Sequence, residues 1–121
     1  MSTTPRQPEA LIAQAMLPAA AEAPAPAITA DELAALERLI AHARGDSGQS
    51  RRVADFLLAW WNCGSCGAFD LTSLWALDTD IVADMTTVFG QIGRIHRYPD
   101  SLGYKAEFKA IVQAWRPQLG N

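Results

Sequence analysis

Apolar residues fall into two regimes along this chain. Up to Ile28 they are scattered among alanines and prolines, and from Leu33 onward they recur three and four residues apart. Leu33, Leu36, Leu39 and Ile40 keep the helical period and predict a first helix from about Ala30 to Arg44. Its start is marked by Thr29 three residues before Glu32, the spacing of a capping box, with Ile28 placed as a hydrophobic staple. Gly45 reads as its stop. A second helix is expected from about Gly48 to Asn62, capped by Ser47 or Asp46. Val53, Phe56, Leu57, Trp60 and Trp61 line its inner face and Leu58 widens it, so this helix belongs in the middle of the domain.

Gly64 and Gly67 break the chain after that. Asp70 reads as the cap of a short helix carrying Leu71, Leu74 and Trp75. Asp78 reads as the cap of a longer one with Ile81, Val82, Met85, Val88, Phe89, Ile92 and Ile95 in phase. "RYPDSLG" is a turn, and Tyr104, Phe108, Ile111, Val112 and Trp115 form the stripe of a last helix stopped by Pro117. No segment alternates with the period of a strand, and no repeat is present. The expectation is an all-α fold: a compact bundle of four main helices plus one short helix over 29–117, with a short tail at 118–121. Residues 1–28 hold five of the seven prolines and no aromatic residue. Such a stretch buries too little surface to offset its ordering entropy and is expected to be disordered.

Composition changes little in this picture. Half of the 121 residues are hydrophobic and 19% are charged, which suffices for a core. The net charge of −3 argues against coating nucleic acid by bulk electrostatics and leaves room for a local basic patch. The longest apolar run, "FLLAWW", falls far short of the ~18 residues of a membrane span. The stretch Ala10–Leu17 lacks the features of a signal peptide, because Arg6 is offset by Glu9 and Gln14 and Pro18 interrupt it. The cytoplasm is therefore the expected compartment.

"WWNCGSCG" is the stretch that most resembles a chemical motif. A redox C-x-x-C holds its first thiolate at a helix N-terminus, whereas Cys63 is expected just after a helix end and outside any β-α-β context. Zinc needs two further ligands. If successive helices alternate in direction, His42 and His96 fall together at the end of the bundle away from Cys63 and Cys66. The cysteines are read as part of a glycine-rich turn, with no metal and no cofactor. No nucleophile elbow, P-loop or zincin motif is present, so no catalytic residue is assigned.

The same helix directions predict a polar bundle. One end is expected to collect Arg44, Arg51, Arg52, Arg94, His96, Arg97 and Lys105, and the other Asp70, Asp78, Asp80 and Asp84. Most of these charges complement helix dipoles. Arg51 and Arg52 do not, since they sit in a first turn where positive charge is disfavoured, and Asp55 is placed to pair with one of them. Arg44, Gln49, Arg51, Arg52, Arg94 and Arg97 are the candidate contacts for an anion or nucleic acid. Trp61, next to Trp60, cannot share its facing fully and is the candidate exposed interface aromatic.

"LERLIAHARGDSGQSRRVADFLLAWWN", "FDLTSLWALD" and "YPDSLGY" together resemble a small uncharacterised helical family encoded on integrative and conjugative elements and plasmids of proteobacteria, over about residues 33 to 116. The resemblance implies an accessory protein of a mobile genetic element and brings no activity or site residue with it. The expected function is a non-enzymatic accessory or protein-interaction module, with a protein partner and no membrane association. The alternative is a small DNA- or RNA-binding regulator that uses the basic end around Arg51 and Arg52.

Overall fold

The computed structural model describes residues 27–119, and these form an all-α bundle without strands. Its main helices are α1 (Ala30–Ala43), α2 (Gly48–Cys66), α3 (Thr79–Arg94) and α4 (Lys105–Trp115). Single 3-10 turns at Leu71–Ala76, Pro99–Leu102 and Pro117–Leu119 complete the chain. The segment expected to be disordered lies outside the described residues up to position 26, as do residues 120 and 121 of the short C-terminal tail.

Helix α1 starts as its sequence dictates. The Glu32 amide donates to Thr29 Oγ1 at 3.1 Å and the Thr29 amide to Glu32 Oε1 at 2.9 Å, so both halves of the capping box are made. At its other end Gly45 is required by crowding rather than by backbone conformation: a Cβ there would lie 2.7 Å from Ser50 Oγ. That contact brings α1 and α2 together across a tight connection. Ser47, not Asp46, caps α2 by accepting from the Ser50 amide at 3.0 Å.

The core is built from Leu36 and Leu39 of α1, Val53, Leu57 and Leu58 of α2, Met85 and Val88 of α3, and Phe108 and Ile111 of α4. Helix α3 packs on α1, and α4 packs on α2. Two ion pairs tie α3 to α1. Arg38 grips Asp84 through two bonds of 2.9 Å, and Arg94 grips Glu32 at 2.6 and 2.7 Å. Three residues assigned to buried stripes are exposed instead: Leu71 (69%), Trp75 (85%) and Phe89 (67%). Between α2 and α3 only Phe69, Leu74 and Leu77, among the described residues, pack against the core, because a short 3-10 helix lying on the surface has one inner side.

The largest departure from the expected topology begins at Asn62. Its backbone (φ −165, ψ 80) interrupts α2, and its Oδ1 accepts from the Ser65 amide at 3.1 Å, which starts a new helical turn over Cys63–Cys66. The chain then doubles back along α2. Phe69 meets Phe56 edge to face at 5.4 Å, and the Asp78 amide donates to Gln49 Oε1 at 2.8 Å. Helix α3 thus begins beside the start of α2 and ends beside the start of α1, the reverse of simple alternation.

Gln91 is the one fully buried side chain of α3 whose polar atoms, among the described residues, find no partner. A buried amide left unpaired costs about 1–3 kcal/mol. Gln91→Leu, which keeps the shape and removes the unpaired groups, is therefore expected to raise the unfolding free energy by about 1–2 kcal/mol. Urea denaturation checks this, and a less stable variant would show that the amide is satisfied by water.

Candidate functional site

The return of the chain at Asn62 decides where the candidate residues lie. Arg44, Gln49, Arg51 and Arg52 share the end formed by the close of α1 and the start of α2. Arg94 is held by Glu32 and by the Ala27 carbonyl (2.9 Å) at the start of α1. The 14 residues of α1 span about 20 Å at 1.5 Å each, so Arg94 and Arg97 stand at the far end from Arg51. The expected single basic pole is thus divided, and Asp78, expected opposite Arg51, lies beside Gln49 (3.3 Å from Nε2). The cause is the doubling-back of residues 63–78, which the alternation rule does not allow for. His96 likewise does not join His42; it sits beyond the end of α3, with Nε2 3.0 Å from the Gly93 carbonyl.

These side chains differ in how far they are committed. Arg51 lies 4.0 Å from Asp55, whose other oxygen accepts from Arg116 at 2.7 Å. Among the described residues Arg52 reaches only the Gly48 carbonyl, at 3.4 Å. Arg97 bonds Ser101 through Nε at 3.2 Å and through Nη2 to its carbonyl. Gln49 is engaged at both ends by Asp78. Arg44 and Arg51 are exposed and Arg52 half-buried.

Among the described residues Glu32 is the most strongly shifted acid. The Arg94 guanidinium, helped by the Thr29 amide, holds its carboxyl down at about 2. A carboxyl lowered from about 4.3 in the unfolded chain stabilises the fold above that value, and the gain disappears as pH falls towards 2. The melting temperature of the protein is therefore expected to exceed that of Glu32→Gln at neutral pH and to converge with it between pH 4.5 and 2. A gap that persists to the lowest pH would contradict the pairing.

A different region has the form of a binding site. Where the end of α2 meets α4, a groove of about 400 Å3 opens, lined by Trp61, Val112 and Leu119 and rimmed by Asn62, Ser65, Lys105, Lys109 and Gln113. Trp61, Asn62 and Asp100 also line an adjoining shallow cleft with Trp60, Cys63 and Tyr98. Trp60 and Tyr98 continue into a third recess with Ile92, Ile95, His96 and Arg97. The three form one aromatic-walled channel along this end of the bundle. Trp60 is braced from behind by Phe108, edge to face at 5.9 Å. Trp61 is half-buried, so it is a wall of this channel, while the most exposed tryptophan is Trp75.

Lys105 and Lys109 stand one turn apart on α4 and, among the described residues, neither makes an ion pair. Among the described residues that line the groove, only Asp100 brings negative charge. Among the described residues no three His, Cys, Asp or Glu side chains come close enough to hold a metal. No helix among them is long and apolar enough to cross a membrane.

A family model, the family of unknown function DUF7673, matches residues 33–116, and the chain belongs to that family. No curated protein and no solved structure matches the chain.

Proposed function

Since membership of this family carries no activity with it, we propose from the geometry that the protein is a non-enzymatic protein-interaction module. Its docking site is the groove between the end of α2 and α4, and its occupant is an acidic segment of a partner protein with at least one large apolar side chain. The observation that carries this is the pairing of an apolar floor (Trp61 and Val112) with two lysines on one rim that make no ion pair among the described residues. A buried aromatic anchor surrounded by polar groups is the usual centre of a binding energy hot spot. Lysines beside it select negative charge and set the rate of encounter. The resemblance to proteins of conjugative elements supports a role as an accessory protein of a mobile genetic element, acting in the cytoplasm.

Nucleic acid is the second reading, favoured by the incomplete pairing of Arg51 and Arg52 and by exposed Arg44. Its weakness is the proximity of Asp46 and Asp78 to the same end, together with the loss of Arg94 and Arg97 to the other. Two double variants separate the readings. Lys105→Gln with Lys109→Gln is expected to weaken binding of an acidic, leucine- or phenylalanine-containing peptide several-fold. Arg51→Gln with Arg52→Gln is expected to leave that binding unchanged. If the second variant instead reduces binding of a single-stranded oligonucleotide and flattens its salt dependence, the nucleic-acid reading holds.

A further inference from the structure

We propose that Cys63 and Cys66 form a thiol–disulfide exchange site for small disulfides of the glutathione class, whatever occupies the groove. The sequence places these cysteines in a passive turn; the structure gives them a different arrangement. They occupy one helical turn, three residues apart, so their side chains leave the same side with Cβ atoms roughly 5–6 Å apart. A disulfide needs about 3.5–4.5 Å. The gap is small, about 1–2 Å between these two figures. Gly64 carries no side chain, and around Gly67, which ends the turn at φ 99, no atom beyond its two chain neighbours lies within 4 Å of where a Cβ would be.

The two thiols are divided in exposure. Cys63 is exposed and lines the cleft walled by Trp60, Trp61 and Tyr98. Cys66 is buried in the core, and its carbonyl is fixed by Arg116 Nε at 2.9 Å. Burial pushes the Cys66 thiol up, with the Arg116 charge opposing that in part. An outside disulfide can therefore meet Cys63 and not Cys66, while Cys66 lies buried three residues further along the same helical turn. That division between an attacking and a resolving thiol is what a two-step exchange requires.

The exchange balances without any further reactant. The Cys63 thiolate attacks one sulfur of the small disulfide, whose S–S bond breaks. One thiolate leaves and takes up the proton that Cys63 gave to water. The Cys66 thiolate then attacks Cys63 Sγ, the mixed disulfide breaks, and the second small thiolate leaves and is protonated in the same way. Two protein thiols are oxidised to one disulfide, and one small disulfide is reduced to two thiols.

The full-length reduced protein is incubated with glutathione disulfide, quenched with acid and weighed by intact mass spectrometry. The expected product is a monomer lighter by two hydrogens with no glutathione attached. Cys66→Ser should retain one glutathione on Cys63, and Cys63→Ser should take up none. Should Cys66→Ser fail to fold, alkylation of the reduced wild-type protein gives the same reading, with Cys63 reacting at least about ten-fold faster than Cys66. A wild-type protein that stays reduced, keeps glutathione on Cys63, or links two chains overturns the proposal.

Discussion

Replacing Arg116 by methionine is expected to lower the unfolding free energy by about 2–3 kcal/mol. Arg116 follows the last residue of α4 and joins the end of that helix to two points of α2 that are distant in sequence. Its Nη2 donates to Asp55 of α2 at 2.7 Å, its Nε to the Cys66 carbonyl at 2.9 Å and its Nη1 to the Trp115 carbonyl at 3.0 Å. The pair is largely withdrawn from water, with 18% of the Arg116 side chain and 23% of the Asp55 side chain exposed. Methionine retains the packing of the stem but leaves a carboxylate and two carbonyls without this donor. Arg51, at 4.0 Å from Asp55, makes up only part of the loss. For a domain of this size the melting temperature should fall by roughly 8–20 °C. Adding Asp55→Asn to Arg116→Met should restore part of it, giving a coupling of about 1–2 kcal/mol in a double-mutant cycle. Full additivity of the two changes would contradict the role assigned to the pair.

Phe108→Ala is expected to cost more, about 3–5 kcal/mol. The ring is 1% exposed and lies between α4 and α2, edge to face with Trp60. Truncation removes the largest apolar side chain of α4 that is fully buried and leaves a cavity that helices tied by capping and ion pairs cannot collapse. Against a typical total of 5–15 kcal/mol, such a loss brings the chain close to unfolding at ambient temperature. Phe108→Leu, which fills part of the same space, should cost clearly less. Because Phe108 braces Trp60 from behind, the alanine variant should also alter Trp fluorescence before the unfolding transition. A loss below about 1 kcal/mol, the range of surface changes, would show that α4 does not complete the core.

How far these features could be read in the sequence follows the range over which each is determined. The start of α1 was legible because Thr29 and Glu32 satisfy one another within a single turn. The stripes of α1, α2 and α4 were legible for the same local reason. The direction of the chain after Asn62 was not. "NCGSCG" has the composition of a turn, and what turns it back along α2 is Phe69 on Phe56 and Arg116 on the Cys66 carbonyl, 50 residues away. With that reversal missed, the alternation rule gathered Arg94, His96 and Arg97 with Arg51, and the charge pattern alone held nothing to correct it. Phe89 and Trp75 were misplaced because apolarity was taken for burial. The groove was invisible as a unit because it is assembled from α2, the turn at Pro99–Leu102, α4 and the last 3-10 turn. One local signal was present: Lys105, Lys109 and Val112 at helical spacing, a basic edge running beside an apolar position.

We propose that this groove, and not the end bearing Arg51 and Arg52, is the docking surface. Two-dimensional NMR of the labelled protein, titrated with a short acidic peptide containing leucine and phenylalanine, tests it directly. Docking in the groove should shift only the Trp61 indole N–H and the amides around Asn62, Lys105, Lys109 and Val112, and the shifts should be reduced in Lys105→Gln with Lys109→Gln. Shifts centred on Arg44, Gln49, Arg51 and Arg52, or none in the groove, would contradict it.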